Sequence, residues 1–78
     1  MKIVTVIYED KQYPGTYYGR EYSYYTSLHL EPGDIVIAPT ANGDSMAMIE
    51  RINVDESEIP AHILPLLKTI ERFADGGV

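Results

Sequence analysis

Cysteine is absent from the 78 residues, which excludes disulfides, thiolate metal sites and thiol catalysis. A chain of this length buries only about 60% of the surface its unfolded form exposes. With disulfides unavailable, self-association is the addition left open to reinforce a thin core, and the lack of cysteine fits a reducing compartment. Basic residues are also scarce: six (Lys2, Lys11, Arg20, Arg51, Lys68, Arg72) stand against twelve acidic ones, for a net charge of −6. Nucleic-acid affinity rests largely on Lys and Arg neutralising phosphates, so direct nucleic-acid binding is disfavoured. Long apolar runs are missing too. The opening MKIVTVIYEDK meets an acidic pair at Glu9-Asp10, too soon for a signal-peptide core or a bilayer span, and the expectation is a cytoplasmic chain with no membrane role.

The marks of catalysis are equally thin. Ser27 and Ser45 have no nucleophile-elbow context, no Gly-rich phosphate loop is present, and no acidic pair lies in a recognisable apolar pocket. The expectation is a protein that is not an enzyme and takes no cofactor. His29 and His62 read as surface histidines rather than metal ligands. Asp55, Glu56 and Glu58 lack the spacing of a calcium loop and read as a solvated acidic turn.

What is present is strand-forming. Residues 2 to 8 carry the β-branched run Ile3, Val4, Thr5, Val6, Ile7, which favours a pleated strand. Residues 9 to 19 are polar and punctuated by Tyr13-Pro14-Gly15, a turn or mobile loop. Residues 20 to 26 form a second strand with Tyr22 and Tyr24 on one face and Glu21, Ser23 and Tyr25 on the other. Glu31-Pro32-Gly33-Asp34 suits a type II turn, residues 35 to 38 a short buried strand, and Asn42-Gly43 a hairpin into the strand from Met46 to Val54. In the tail, Leu66, Leu67, Ile70, Phe73 and Ala74 follow helical spacing, predicting a helix from about Pro65 to Ala74 that ends at Gly76-Gly77; a closing strand through Leu67 to Phe73 is the alternative. The fold class is mainly β (α+β), one domain over residues 1–78. Its architecture is a small curled antiparallel sheet or SH3/OB-like barrel of four to five short strands with a short C-terminal helix.

Seven tyrosines are the most unusual feature, and Tyr17, Tyr18, Tyr22, Tyr24 and Tyr25 fall within nine positions. Both faces of strand two are not expected to be core, and tyrosine is enriched at interfaces because its ring supplies apolar area while its hydroxyl stays satisfied. These five, with Arg20, are the candidate binding residues. The plainer reading makes Tyr22 and Tyr24 barrel packing and the others cover for an exposed strand.

The run from Tyr22 to Ile52, with Tyr22, Tyr24, Leu30, Gly33, Asp34, Val36 and Gly43 as its marks, covers about 40% of the chain. It resembles a pattern in small phage and prophage proteins of unassigned function, and is similar to the 3′-end DNA-binding domain of primosomal helicases. The resemblance implies a barrel and a phage setting, and no binding residue is carried over from it. The function expected is that of a non-catalytic, phage-type accessory protein that binds a host protein, with inhibition of a host defence or nucleic-acid-handling factor as one form of that role, using the tyrosine strand and an acidic surface against a basic partner. The alternative is a homo-oligomer that sequesters a nucleotide-like small molecule on Arg20 and the tyrosine face.

Overall fold

The β-branched run at the start does form a strand. In the computed structural model, which describes residues 1–74, β1 spans Lys2–Tyr8 and buries Ile3, Val4, Thr5 and Val6 in succession, so both of its faces are covered. The other strands are β2 (Tyr22–Thr26), β3 (Ile35–Thr40), β4 (Gly43–Arg51), β5 (Thr69–Ile70) and β6 (Arg72–Phe73). They make one sheet in the order β5-β2-β1-β4-β3-β6. The mainly β class holds, and the sheet curls into a nearly closed barrel. It is mixed rather than wholly antiparallel, because β5 runs parallel to β2.

The tail closes the barrel. β5 pairs with β2 through Tyr25↔Thr69 and Thr26↔Ile70, and two residues later β6 pairs with β3 through Val36↔Phe73 and Ile37↔Arg72. A single short stretch therefore caps both sheet edges that would otherwise template pairing with another chain. The buried Thr26 hydroxyl donates to the Ile70 carbonyl at 3.0 Å and fixes this junction.

The helix expected from about Pro65 to Ala74 is not there. Leu64–Leu66 makes one 3₁₀ turn, preceded by Ile63 without a side-chain cap, and Leu67 is already extended. A short uncapped segment has little intrinsic helical stability, whereas as strand it buries Ile70 completely and satisfies two ladders. The closing role of the alternative, a strand through Leu67 to Phe73, is what forms, but as two short strands, Thr69–Ile70 and Arg72–Phe73, rather than one. The expected stop at Gly76-Gly77 lies outside the described residues.

Two turns follow their sequence chemistry. Asp34 N–H donates to the Glu31 carbonyl at 3.1 Å and Gly33 has φ +96°, as a type II turn requires. Residues 9 to 19 are an ordered turn: Glu9 bridges Tyr17, and Thr16 N–H donates to the Tyr13 carbonyl at 3.0 Å around Pro14-Gly15. The hairpin after β3 departs from expectation. Thr40 pairs with Gly43, and of Asn42 and Gly43 only Gly43 takes positive φ, so Asn42-Gly43 is not the centre of a two-residue primed turn. The Thr40 hydroxyl organises the loop instead, accepting from Asn42 N–H and donating to the Gly43 carbonyl.

The core has two parts. Inside the barrel are Val4, Val6, Tyr24, Leu30, Val36, Ala38, Ala47, Ile49 and Ile70. Outside it, the 3₁₀ turns Glu56–Glu58 and Leu64–Leu66 belong to a strap that carries Val54 and Ile59 onto Ile3, with Tyr25, Ile63, Leu64 and Leu67 packed around them.

Candidate functional site

The closing stretch does not reach the whole length of the barrel. β5 meets only Tyr25 and Thr26 of β2, and β6 meets only Val36 and Ile37 of β3. Tyr22 to Tyr24 and Pro39 to Thr40 therefore border a seam with no strand between them among the described residues. Side chains span it. The Tyr24 hydroxyl donates to the Pro39 carbonyl at 2.8 Å, which leaves it to accept from the Tyr8 hydroxyl at 2.5 Å. Burial, followed by the bond from Tyr8, pushes the Tyr24 hydroxyl well above its ordinary range, so it is neutral at physiological pH.

Strand alternation puts Tyr8 there. Val6 lies opposite Tyr22 in the β1–β2 register, so Tyr8 projects from the same face one step further on, and its ring stacks on Tyr22 with centroids 4.6 Å apart. Such stacks contribute about 0.5–1.5 kcal/mol beyond area burial. Tyr22 remains 41% exposed, so the pair presents a fixed aromatic surface to solvent.

Above this pair a groove of about 590 Å³ runs between β2, the end of β3 and residues 58 to 68, with Ile63, Leu66 and Leu67 along its far wall. Arg20 and Lys68 also line it, and among the described residues neither is in an ion pair. By contrast Arg51 is held between Glu21 at 3.2 Å and Glu58 at 3.1 Å, and Arg72 pairs with Asp44 at 2.7 Å. Glu21 also accepts from the Thr5 hydroxyl at 2.7 Å; that bond, then the one from Arg51, lowers its pKa. The Glu21–Arg51–Glu58 link ties the strap to β2 and β4.

The six candidate residues separate into four places. Arg20, Tyr22 and Tyr24 share the groove. Tyr25 does not: it points out of the barrel and packs, partly buried, on Ile3, Val54 and Ile59, so the outer face of β2 is covered in part as well. The reason is the strap, which supplies a second apolar layer where the alternation pattern implied solvent. Tyr17 lies half-buried beside Gly33, Ile35, Met46 and Phe73 in a separate depression of about 480 Å³, its hydroxyl raised in pKa by burial and by Glu9. Tyr18 is 81% exposed on the loop before β2.

Compared with protein-family models, curated proteins and solved structures, the chain matches none. The likeness to phage proteins and to the primosomal helicase domain thus stays an expectation of the sequence. Among the described residues no three His, Cys, Asp or Glu side chains gather as a metal site, and no helix is long and apolar enough to cross a membrane.

Tyr8, Lys68 and Leu66 were not candidates on sequence. Tyr8 could have been found by continuing the alternation of Val4 and Val6. Lys68 and Leu66 carried no signal, because helical spacing placed them on an element that does not form.

Proposed function

We propose that this chain is a non-catalytic binding protein that holds a protein partner in the seam groove. The observation that carries the reading is the lining: a stacked Tyr8–Tyr22 pair, an anchored Tyr24 and exposed Leu66, 70% accessible, arranged along an open channel. Aromatic rings already fixed by stacking and hydrogen bonds lose little side-chain freedom on binding, which leaves more of the contact energy for affinity. Buried tyrosine flanked by apolar contacts is the composition that interface centres favour. The net charge of −6 speeds encounter with a partner of opposite overall charge. The phage setting comes from the resemblance, and the host-protein role from the tyrosine strand together with the acidic charge.

The small-molecule reading has one observation in its favour: Arg20, Lys68 and the Tyr22 ring meet in one groove, the set that a phosphate and a base would need. Pockets for small ligands enclose about 70–90% of the ligand surface. This groove is open along its length, so a second copy of the chain would have to act as a lid. The protein-partner reading needs no such addition.

The test is a photo-crosslinking amino acid placed at Leu66 in the groove and, separately, at Tyr13, 65% exposed on the loop between β1 and β2. Adducts of defined mass from position 66 and none from position 13, in cells expressing the protein at its natural level, are the expected result. Adducts only from position 13, or from neither, refute the reading.

A further inference from the structure

We propose that the segment seated in the groove is an extended strand carrying acidic side chains, which adds alongside the uncovered half of β2. The inference rests on the protein-partner reading above and specifies how the partner is held.

The backbone supplies the first argument. Tyr25 N–H donates to the Lys68 carbonyl at 2.9 Å, so at Tyr25 the backbone of β2 faces away from β1. Main-chain groups in an antiparallel pair alternate with period two. Ser23 therefore turns its N–H and C=O the same way, toward the seam. β5 begins at the level of Tyr25, with Thr69, and among the described residues no strand lies beside Ser23. An unpaired edge next to apolar side-chain sites is the arrangement that strand addition uses, with main-chain bonds giving affinity and alternate side chains giving selectivity. The opposite wall offers Pro39, which has no N–H, so pairing is directed to the β2 side.

Charge supplies the second. Among the described residues Arg51 and Arg72 are in ion pairs and Arg20 and Lys68 are not; the two carboxylates that share the groove lining, Glu21 and Glu58, are both held by Arg51. Net charge governs long-range approach, but contact is governed by the groups at the surface that meets the partner. Two groove cations with no ion-pair partner among the described residues call for carboxylates in the occupant. An apolar side chain on the alternate positions fits the Tyr22 ring and Leu66.

The test uses the whole chain, ¹⁵N-labelled, titrated with two octapeptides, one alternating valine with glutamate and one alternating valine with lysine. The glutamate peptide should shift the amides of Arg20, Tyr22, Ser23 and Lys68, and at saturation should slow exchange of the Ser23 amide by at least about tenfold, the mark of a new backbone bond. The lysine peptide should bind at least about tenfold more weakly, and the double variant Arg20→Gln/Lys68→Gln should lose that preference while its spectrum shows the fold retained. Equal binding of both peptides overturns the acidic specification. Binding in the groove with Ser23 unprotected overturns strand addition and leaves the protein-partner reading standing. If neither peptide perturbs the groove while a mononucleotide does, both the inference and the reading beneath it fall.

Discussion

Removing the hydroxyl of Tyr24 tests whether side chains hold the seam where strands do not. The Tyr24→Phe change keeps the buried ring, 4% exposed, and deletes the oxygen that donates to the Pro39 carbonyl at 2.8 Å and accepts from Tyr8 at 2.5 Å. Each intramolecular hydrogen bond contributes about 1 kcal/mol net, and a partner left dry costs more than one that recovers water. Tyr8 is partly exposed and regains a water partner, while the half-buried Pro39 carbonyl does so less readily. The two bonds together come to about 1.5–2.5 kcal/mol. For a domain of this size each kcal/mol shifts the midpoint by about 4–8 °C, so thermal unfolding followed by circular dichroism should drop by about 6–20 °C. Tyr8→Phe removes one bond only, leaves Tyr24 donating to Pro39, and should cost about half as much. If both variants melt within about 2 °C of the parent, the seam is not held by this network and the account of barrel closure is wrong.

Four further outcomes follow from the geometry. Ile70→Ala empties a fully buried site at the closing stretch and should destabilise by about 2–5 kcal/mol, a large part of the roughly 4–12 kcal/mol expected for a domain of this length; a chevron or urea midpoint unchanged by it would show the closure to be dispensable. Gly33→Ala meets no neighbouring atom within 4 Å, so its cost is backbone strain alone at φ +96°, about 1 kcal/mol or more, and urea midpoints should fall accordingly. Glu21 is depressed below its ordinary 4.5, by the Thr5 bond first and Arg51 second; a depressed carboxylate lends stability that is complete above its unfolded pKa and is lost as pH falls through the folded one, so unfolding midpoints should decline below about pH 4.5, and Glu21→Gln should flatten that decline. Tyr24 is raised above its ordinary 10.0; a raised pKa lends stability that is complete below the unfolded value and is lost as pH climbs past it, so tyrosinate absorbance should show one tyrosine ionising only together with unfolding, and a smooth titration of all seven would refute its burial.

The parts of this fold that were legible in the sequence are those set by local chemistry. The β-branched run of β1, the Pro-Gly turn at residues 31 to 34 and the aromatic strand β2 each needed only their own residues to be read. What was not legible depended on distant partners. Ile70 and Phe73 fit a helical period as well as a strand, and only the open edges of β2 and β3 decide between them. Tyr25 looked exposed because nothing near it in the sequence announces that Val54 and Ile59, on either side of the exposed acidic turn at residues 55 to 58, fold back onto Ile3 and cover part of its ring. Half of the candidate site was found, Arg20, Tyr22 and Tyr24, because those residues share one strand or its approach. Lys68 joins them through a parallel pairing that no spacing along the chain announces.

The stretch that closes the barrel starts at the border of the groove, so the proposed strand addition would couple stability to binding. Residues 69 to 73 cap both edges for two pairs each and then stop, leaving Ser23 on one side and Pro39 on the other. A strand added at Ser23 extends the ladder that β5 starts, so its contacts also restrain Tyr22, Tyr24 and the Lys68 carbonyl that holds Tyr25. Binding to the folded state alone stabilises it by about 2.7 kcal/mol at a hundredfold excess over Kd. For a small domain without disulfides that is a substantial fraction of the whole. The chain is therefore expected to be marginal when free and firm when occupied, with exchange protection on β5 and the first half of β2 rising together as the groove fills. Protection gained on β5 without β2, or on β2 without β5, would show the groove and the closure to be independent.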